Sequence, residues 1–452
     1  MTIYLGKLVL GDKIVDGAVQ VAGEKISKVY TKQSGFQKNE EREKIVDMKD
    51  HYILPGFIET HGHMREPGLE HKEDIPHGTK AAIVGGVTTI LDMPNTNPPT
   101  TTVDLFLKKL KLYENRSYSD YGINFGTSVN DLLELEKIDP KKIIGAKVFT
   151  AGHETTPTTI PNLGDQAKIW EIAARRDFPV LVHAENQQLV TFRENYFKTK
   201  GKKDMDAYSE ARNWLVVGTA AWEAVLLAKQ YGTRLWLLHA STKPEFDAVE
   251  WGKSNKVDIE SEVTVYQLYF NTEDYKRLGT KIKVSPAIRS PAEQKYLWDM
   301  VKAGKIAGLC AEHTPHTLEE KNKDVWQAAS GTPGIQESSS AFLSAWIKRF
   351  GSKNIEEGII RLANMYSSNI ADFFDLEQKG KIAAGKDADL IFINPENKWL
   401  VKKEELYTKL KWSPYEGDTL IGTPSTVIRR GEVMIENRKF IGKQTGKWIH
   451  ER

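Results

Sequence analysis

Residues 58–68 read IETHGHMREPG. The apolar run that leads into them, residues 52–61, is written like a buried strand. Side chains at i, i+2 and i+4 of a strand point to the same side. His61, His63 and Arg65 would then face one space, and Pro67 and Gly68 would stop the strand. Two imidazoles in that space can grip a metal ion. A guanidinium cannot ligate a metal, but it can hold a carboxylate through a two-pronged hydrogen bond. The stretch predicts a metal beside an anion.

Further along the chain the rhythm of that first run repeats. Strand-like apolar runs follow at 87–94 (VTTILDMP), 121–127 (YGINFGT), 143–149 (IIGAKVF), 179–185 (PVLVHAE), 234–240 (RLWLLHA), 257–263 (VDIESEV) and 306–313 (IAGLCAEH). Amphipathic helical patterns such as VDLFLKKLKLYEN and QAKIWEIAARR separate several of them. Eight strands alternating with helices predict an α/β fold, a (β/α)8 TIM-type barrel, over residues 55–377. Residues 4–30 are written differently, as short alternating runs broken by Gly-Asp, Asp-Gly and Gly-Glu, and a similar pattern returns in 380–394 and 425–442. Those are strand-turn-strand signals. Residues 1–54 and 378–452 are therefore expected to build one small β-sandwich module together.

Barrel enzymes place their chemistry at the C-terminal ends of the strands. Here those ends carry His61 and His63, Lys147, His183, His239, and Glu312 with His316. A lone histidine at a strand end is more often packed or hydrogen-bonded than a ligand. Four of them, with a lysine and a carboxylate at equivalent ends, predict a metal centre. Lys147 is the one polar residue in an otherwise apolar run. It either snorkels out of the barrel mouth or has been carbamylated by CO2. The carbamate is an anion with two oxygens, able to bridge two cations whose charge four neutral histidines and one carboxylate do not balance.

Composition excludes several classes. Lys plus Arg total 63 against 61 for Asp plus Glu, a net charge of +2, which points to neither nucleic acid nor an anionic membrane. No apolar run approaches the roughly 18 residues of a membrane helix. The N-terminal stretch has charges scattered through it and does not read as a signal peptide. The single cysteine, Cys310, excludes an internal disulfide framework and points to the cytoplasm.

Residues 61–100, HGHMREPGLEHKEDIPHGTKAAIVGGVTTILDMPNTNPPT, resemble the signature of the cyclic amidohydrolases, and most closely that of the dihydroorotase family. The segments VHAEN, LHAST, EHTPHTLEEK, SGTPGIQE and KGKIAAGKDADLI continue the likeness over nearly the whole chain. The resemblance implies the interconversion of L-dihydroorotate and N-carbamoyl-L-aspartate in pyrimidine biosynthesis. It implies His61 and His63 on the more buried metal, carboxylated Lys147 bridging two divalent ions, with zinc expected, and His183 and His239 on the second. Arg65, Asn95 and His316 match the residues that hold the substrate carboxylate. The backbone around Pro333 and Gly334 matches the segment that contacts the ring amides, and Glu312 stands where the family has a metal-ligating aspartate that shuttles the proton. It also implies a homo-oligomer, a dimer or tetramer, and aspartate transcarbamoylase as a candidate partner.

Six positions in four places depart from the family pattern. Glu312 replaces an aspartate, and Glu59 stands where an aspartate usually precedes the histidine pair. Ser285 replaces an asparagine facing the ring, and Val265, Tyr266 and Gln267 stand where Pro-His-His is common. Ser285 and that last segment favour a hydantoinase or allantoinase type, whereas Arg65, Asn95 and His316 oppose it. Glu312 supports a third reading, a non-catalytic subunit that scaffolds a partner enzyme, but decay would strip metal ligands first and they are all present. His51, His71, His77, His153 and His450 fall outside the motif and read as surface or structural; His313, adjacent to Glu312, is expected to face away from the metals.

Overall fold

A computed structural model describes residues 1–31, 44–152, 156 and 158–450; His153 lies outside them. The chain begins with β1 (Thr2–Leu10), β2 (Lys13–Ala22), β3 (Lys25–Tyr30) and β4 (Lys44–Pro55). The barrel strands follow: β5 (Phe57–Gly62), β6 (Val87–Asp92), β7 (Asp120–Ile123), β8 (Phe125–Gly126), β9 (Ala146–Phe149), β10 (Val180–His183), β11 (Leu235–Leu237), β12 (Ile259–Thr264) and β13 (Gly308–Cys310). The chain ends with β14 (Leu390–Ile393), β15 (Lys398–Leu400), β16 (Thr419–Ile421), β17 (Pro424–Arg429), β18 (Glu432–Glu436) and β19 (Lys439–Phe440).

Strands β5 to β7 pair in parallel, as do β8 to β13 in chain order. Asn124 alone separates β7 from β8, so these two serve as one strand position and the barrel has eight. The ring closes where His63 N donates to His313 O at 3.0 Å, and the buried Glu59 carboxylate of β5 accepts from Ala311 N at 2.8 Å. The residues of β5, β6, β9 and β10 are buried throughout, which is why they read as continuous apolar runs rather than alternating ones. Helices pack outside. Leu163–Arg176, for instance, is capped by Asn162, whose side chain accepts from Gly164 N and Asp165 N, and it ends at Asp177 in the left-handed conformation.

The β-rich module is one mixed sheet in the order β19-β18-β17-β14-β4-β1-β2-β3. Its own apolar core includes Leu8, Val19, Ile53, Leu390, Phe392 and Ile428. Strand β4 runs through Gly56 directly into β5, and a Cβ at Gly56 would collide with Thr88 and Asp389. At this junction the buried Lys379 ammonium lies 2.5 Å from Asp120 Oδ2, 2.7 Å from Asp389 Oδ2 and 3.0 Å from Asp387 Oδ2. The acidic cluster is thus filled by a lysine of the same chain. No helix of the described residues is long and apolar enough to cross a membrane.

Candidate active site

The strand ends bring four imidazoles together. Ring centroids of His61 and His63 are 5.2 Å apart, those of His61 and His239 5.2 Å, and those of His183 and His239 4.7 Å. Two of the four rings, His61 and His183, are held from behind by a carboxylate. His61 Nδ1 lies 3.2 Å from Glu262 Oε1, and Glu262 also accepts from Trp236 Nε1 at 2.8 Å and from the Thr60 hydroxyl. His183 Nε2 lies 2.9 Å from Glu185 Oε2, which is paired with Arg212 at 2.6 Å. His183 Nδ1 meanwhile faces His239 Nε2 at 2.9 Å. A carboxylate on one ring nitrogen keeps the proton there and leaves the lone pair of the other for a metal. Burial lowers the pKa of all four rings below the usual histidine value, to about 4 for His61, so they are neutral at pH 7, the form in which an imidazole can ligate a metal.

Ligand atoms of His61, His239 and Glu312 lie within 4.8 Å of one another, all buried. Lys147 reaches the same space from β9. Its amine is buried, its Nζ makes no hydrogen bond, and it lies 4.4 Å from the Phe149 ring centre. Burial lowers its pKa to about 7, against the pull of Glu312 and Glu262. The convergent nitrogen and oxygen donors and the unpaired buried amine fit divalent ions of the zinc type.

Glu312 follows β13. Its backbone N donates to Glu59 Oε1 at 3.3 Å, and its Oε2 accepts from the Tyr266 hydroxyl. Burial raises its pKa to about 8, opposed by the Tyr266 hydrogen bond and by Lys147. The other oxygen of Glu59 accepts from Tyr366 OH at 2.6 Å, and Oε1 also takes His61 N at 3.1 Å, so one carboxylate fixes both the first and the last strand end. Arg65, His239 and Glu312 adopt φ of 61°, 39° and 46°. Left-handed backbone at non-glycine residues is strained, and such strain gathers at functional sites.

A cleft beside the imidazoles is lined by Arg65, Asn95, Ser285, Glu312, Ser330 and Gly331, among others. Asn95 Oδ1 is buried there without a hydrogen bond. Arg65 is 2% exposed. Its Nη2 lies 3.1 Å from His316 Nε2 and its Nε donates to Pro315 O at 3.3 Å, and no carboxylate of the described residues pairs with it. His316 sits behind Arg65, its Nδ1 3.4 Å from Glu320 Oε2, and Lys72 pairs with Glu320 at 2.7 Å. Ser285 Oγ lies 2.7 Å from Tyr208 OH. At the cleft wall the 330s segment contributes Ser330 and Gly331. Pro333 and Gly334 lie beyond it, and Gly334 N donates to His313 Nδ1 at 3.3 Å. His313 turns its Nε2 away, to Glu73 at 3.1 Å.

Glu262, Glu185, Tyr208 and Lys72 support the site without having been singled out from the sequence, and Tyr266, marked there only as a departure from the family pattern, supports it too. Glu262 carried a signal, a carboxylate inside an otherwise strand-like run. The others lie on loops and helices where polar residues are ordinary.

The amidohydrolase family pattern matches residues 52–434, and the chain belongs to that family. It is a cyclic amide hydrolase. A dihydroorotase of Halobacterium salinarum is 32% identical over 426 residues, 92% of this chain and 93% of that protein. An L-hydantoinase of Paenarthrobacter aurescens is 28% identical over 452 residues, 99% of this chain and 97% of that one. The solved L-hydantoinase (dihydropyrimidinase) from Arthrobacter aurescens superposes with a TM-score of 0.92 at 27% identity and covers 99% of both chains. The resemblance to dihydroorotases read from residues 61–100 therefore stands.

Proposed function

We propose that the chain is a cytoplasmic dihydroorotase of pyrimidine biosynthesis, a homo-oligomer that interconverts L-dihydroorotate and N-carbamoyl-L-aspartate. One observation carries this reading. Arg65 is a buried guanidinium at the cleft with no carboxylate partner of its own among the described residues. A buried charge is costly unless it is paired. A carboxylate on the substrate ring supplies that partner, and dihydroorotate has one where hydantoin has none. Asn95 adds a second polar group on the same wall.

His61, His63, His183, His239, Lys147 and Glu312 would hold two divalent ions, zinc expected, with Lys147 as the carbamate. Bound there, the ions would acidify a water toward neutral pH and polarise the scissile carbonyl. Glu312 takes the proton from the water and returns it to the leaving ring nitrogen. Arg65 orients the ring through its carboxylate, and His316 holds Arg65 in place. Ser285 and the likeness to the L-hydantoinases favour a second reading, a hydrolase for cyclic amides without the carboxylate.

Arg65→Ala separates the two. A charge-assisted hydrogen bond is worth roughly 1.5–3 kcal/mol, so kcat/KM for dihydroorotate should fall by about 10- to 150-fold with metal content unchanged. A variant that turns over dihydroorotate at the parent rate would contradict the carboxylate-reading role.

A further inference from the structure

We infer that Tyr266 is a positioning residue for Glu312, and that the phenol sets where the longer carboxylate arm ends. The inference rests on Glu312 being the proton-transferring carboxylate. Tyr266 stands at the start of the short helix Val265–Tyr269, directly after β12, and Glu312 follows β13, the neighbouring strand. The two side chains meet at the strand ends, both buried, with the Tyr266 hydroxyl donating to Glu312 Oε2. Tyr266 OH and Glu312 Oε2 are joined by the one side-chain hydrogen bond that Glu312 makes among the described residues.

Geometry gives the contact its purpose. Glutamate has one more rotatable bond than aspartate, and its carboxyl lies farther from the backbone by roughly 1.5 Å. Unrestrained, such a carboxylate would sample several rotamers, and misplacement of about 1 Å can cost ~100-fold in rate. With Oε2 tied to Tyr266, the other oxygen is left for the space shared with His61 and His239. Sequence reading marks residues 265–267 and residue 312 as separate departures from the family pattern. The fold makes Tyr266 and Glu312 one contact.

The test is a double-mutant cycle of Tyr266→Phe and Glu312→Asp in the metal-loaded protein, with Tyr266→His as a third variant that keeps a ring donor. Two quantities are read: kcat and KM on dihydroorotate, and zinc retention against a competing chelator. Tyr266→Phe should lower kcat by about 10- to 100-fold, the range for residues that orient a metal ligand, with KM within about twofold of the parent. It should also weaken zinc retention, and Tyr266→His should lie between it and the parent. The double variant should be no worse than Glu312→Asp alone, because the shorter arm no longer reaches the phenol. Effects of the two substitutions that multiply, or a Tyr266→Phe protein that matches the parent in both quantities, would overturn the pairing. If the parent turns over no cyclic amide, the catalytic reading of Glu312 fails, and the zinc-retention cycle alone decides whether the pair exists. If Tyr266→Phe does not fold, the same comparison is made with Tyr266→His, where loss of retention on the Glu312 background and none on the Glu312→Asp background supports the pairing, and equal loss on both refutes it.

Discussion

Lys147 shows how one residue's surroundings set its chemistry. A lysine in water is an ammonium and does not react with CO2. Here burial brings the pKa to about 7, and the amine has no hydrogen-bond partner to hold its proton. The sign follows directly: the reactive neutral amine is lost as pH falls below that value and gained as it rises. Metal-free protein reloaded with zinc at a fixed concentration of dissolved CO2 should take up less metal at pH 6 than at pH 8. Lys147→Met should take up little at either pH and show no dependence on CO2. Uptake in the parent that ignores CO2 would count against the carbamate. The alternative of a lysine snorkelling out of the barrel does not describe this side chain, which is fully buried.

At the scale of strands and helices, most of the barrel was legible because parallel strands are covered on both faces. Their sequences are apolar runs, and a polar residue at the end of such a run is conspicuous. That is how His61, His183, His239 and Lys147 were found together. The residues that aim them were harder to see. Tyr266 acts across a gap of chain that only the fold closes, Glu185 stands in a loop two residues past the ring it holds, where a polar residue is ordinary, and Glu262 lies on β12 while the ring it holds lies on β5. The 330s segment shows the same limit. A motif places it near the cleft, but which of its residues forms the wall depends on loop geometry, and the wall is Ser330 and Gly331. Glu262 gives the test at this scale. It ties β5, β11 and β12 through His61, Thr60 and Trp236. Glu262→Gln keeps the shape but removes the charge that holds the His61 proton. Zinc affinity should drop by about 10- to 100-fold, measured by chelator competition. Unchanged affinity would show that the His61 tautomer does not depend on Glu262.

For the molecule as a whole, the question is how the β-rich module and the barrel are held as one body. Lys379 lies at the joint between Asp120 of β7 and Asp387 and Asp389 before β14, with Arg430 Nε 3.1 Å from Asp120 Oδ2. The surrounding carboxylates raise the Lys379 pKa despite its burial. Lys379→Met would leave three buried carboxylates short of a counter-charge. Breaking a buried ion pair from one side costs about 3–5 kcal/mol, so the urea midpoint should fall clearly, and an unchanged midpoint would show that the joint is carried by packing alone. Because β4 runs straight into β5, loosening this joint should also disturb the strand that carries His61 and leads into His63. The account as a whole stands on substrate choice. The most direct measurement is kcat/KM of the fully metal-loaded protein on dihydroorotate, hydantoin and allantoin, with metal content determined on the same sample. Turnover of dihydroorotate at least about tenfold above the other two is predicted. Turnover of hydantoin or allantoin that equals or exceeds it would contradict the account.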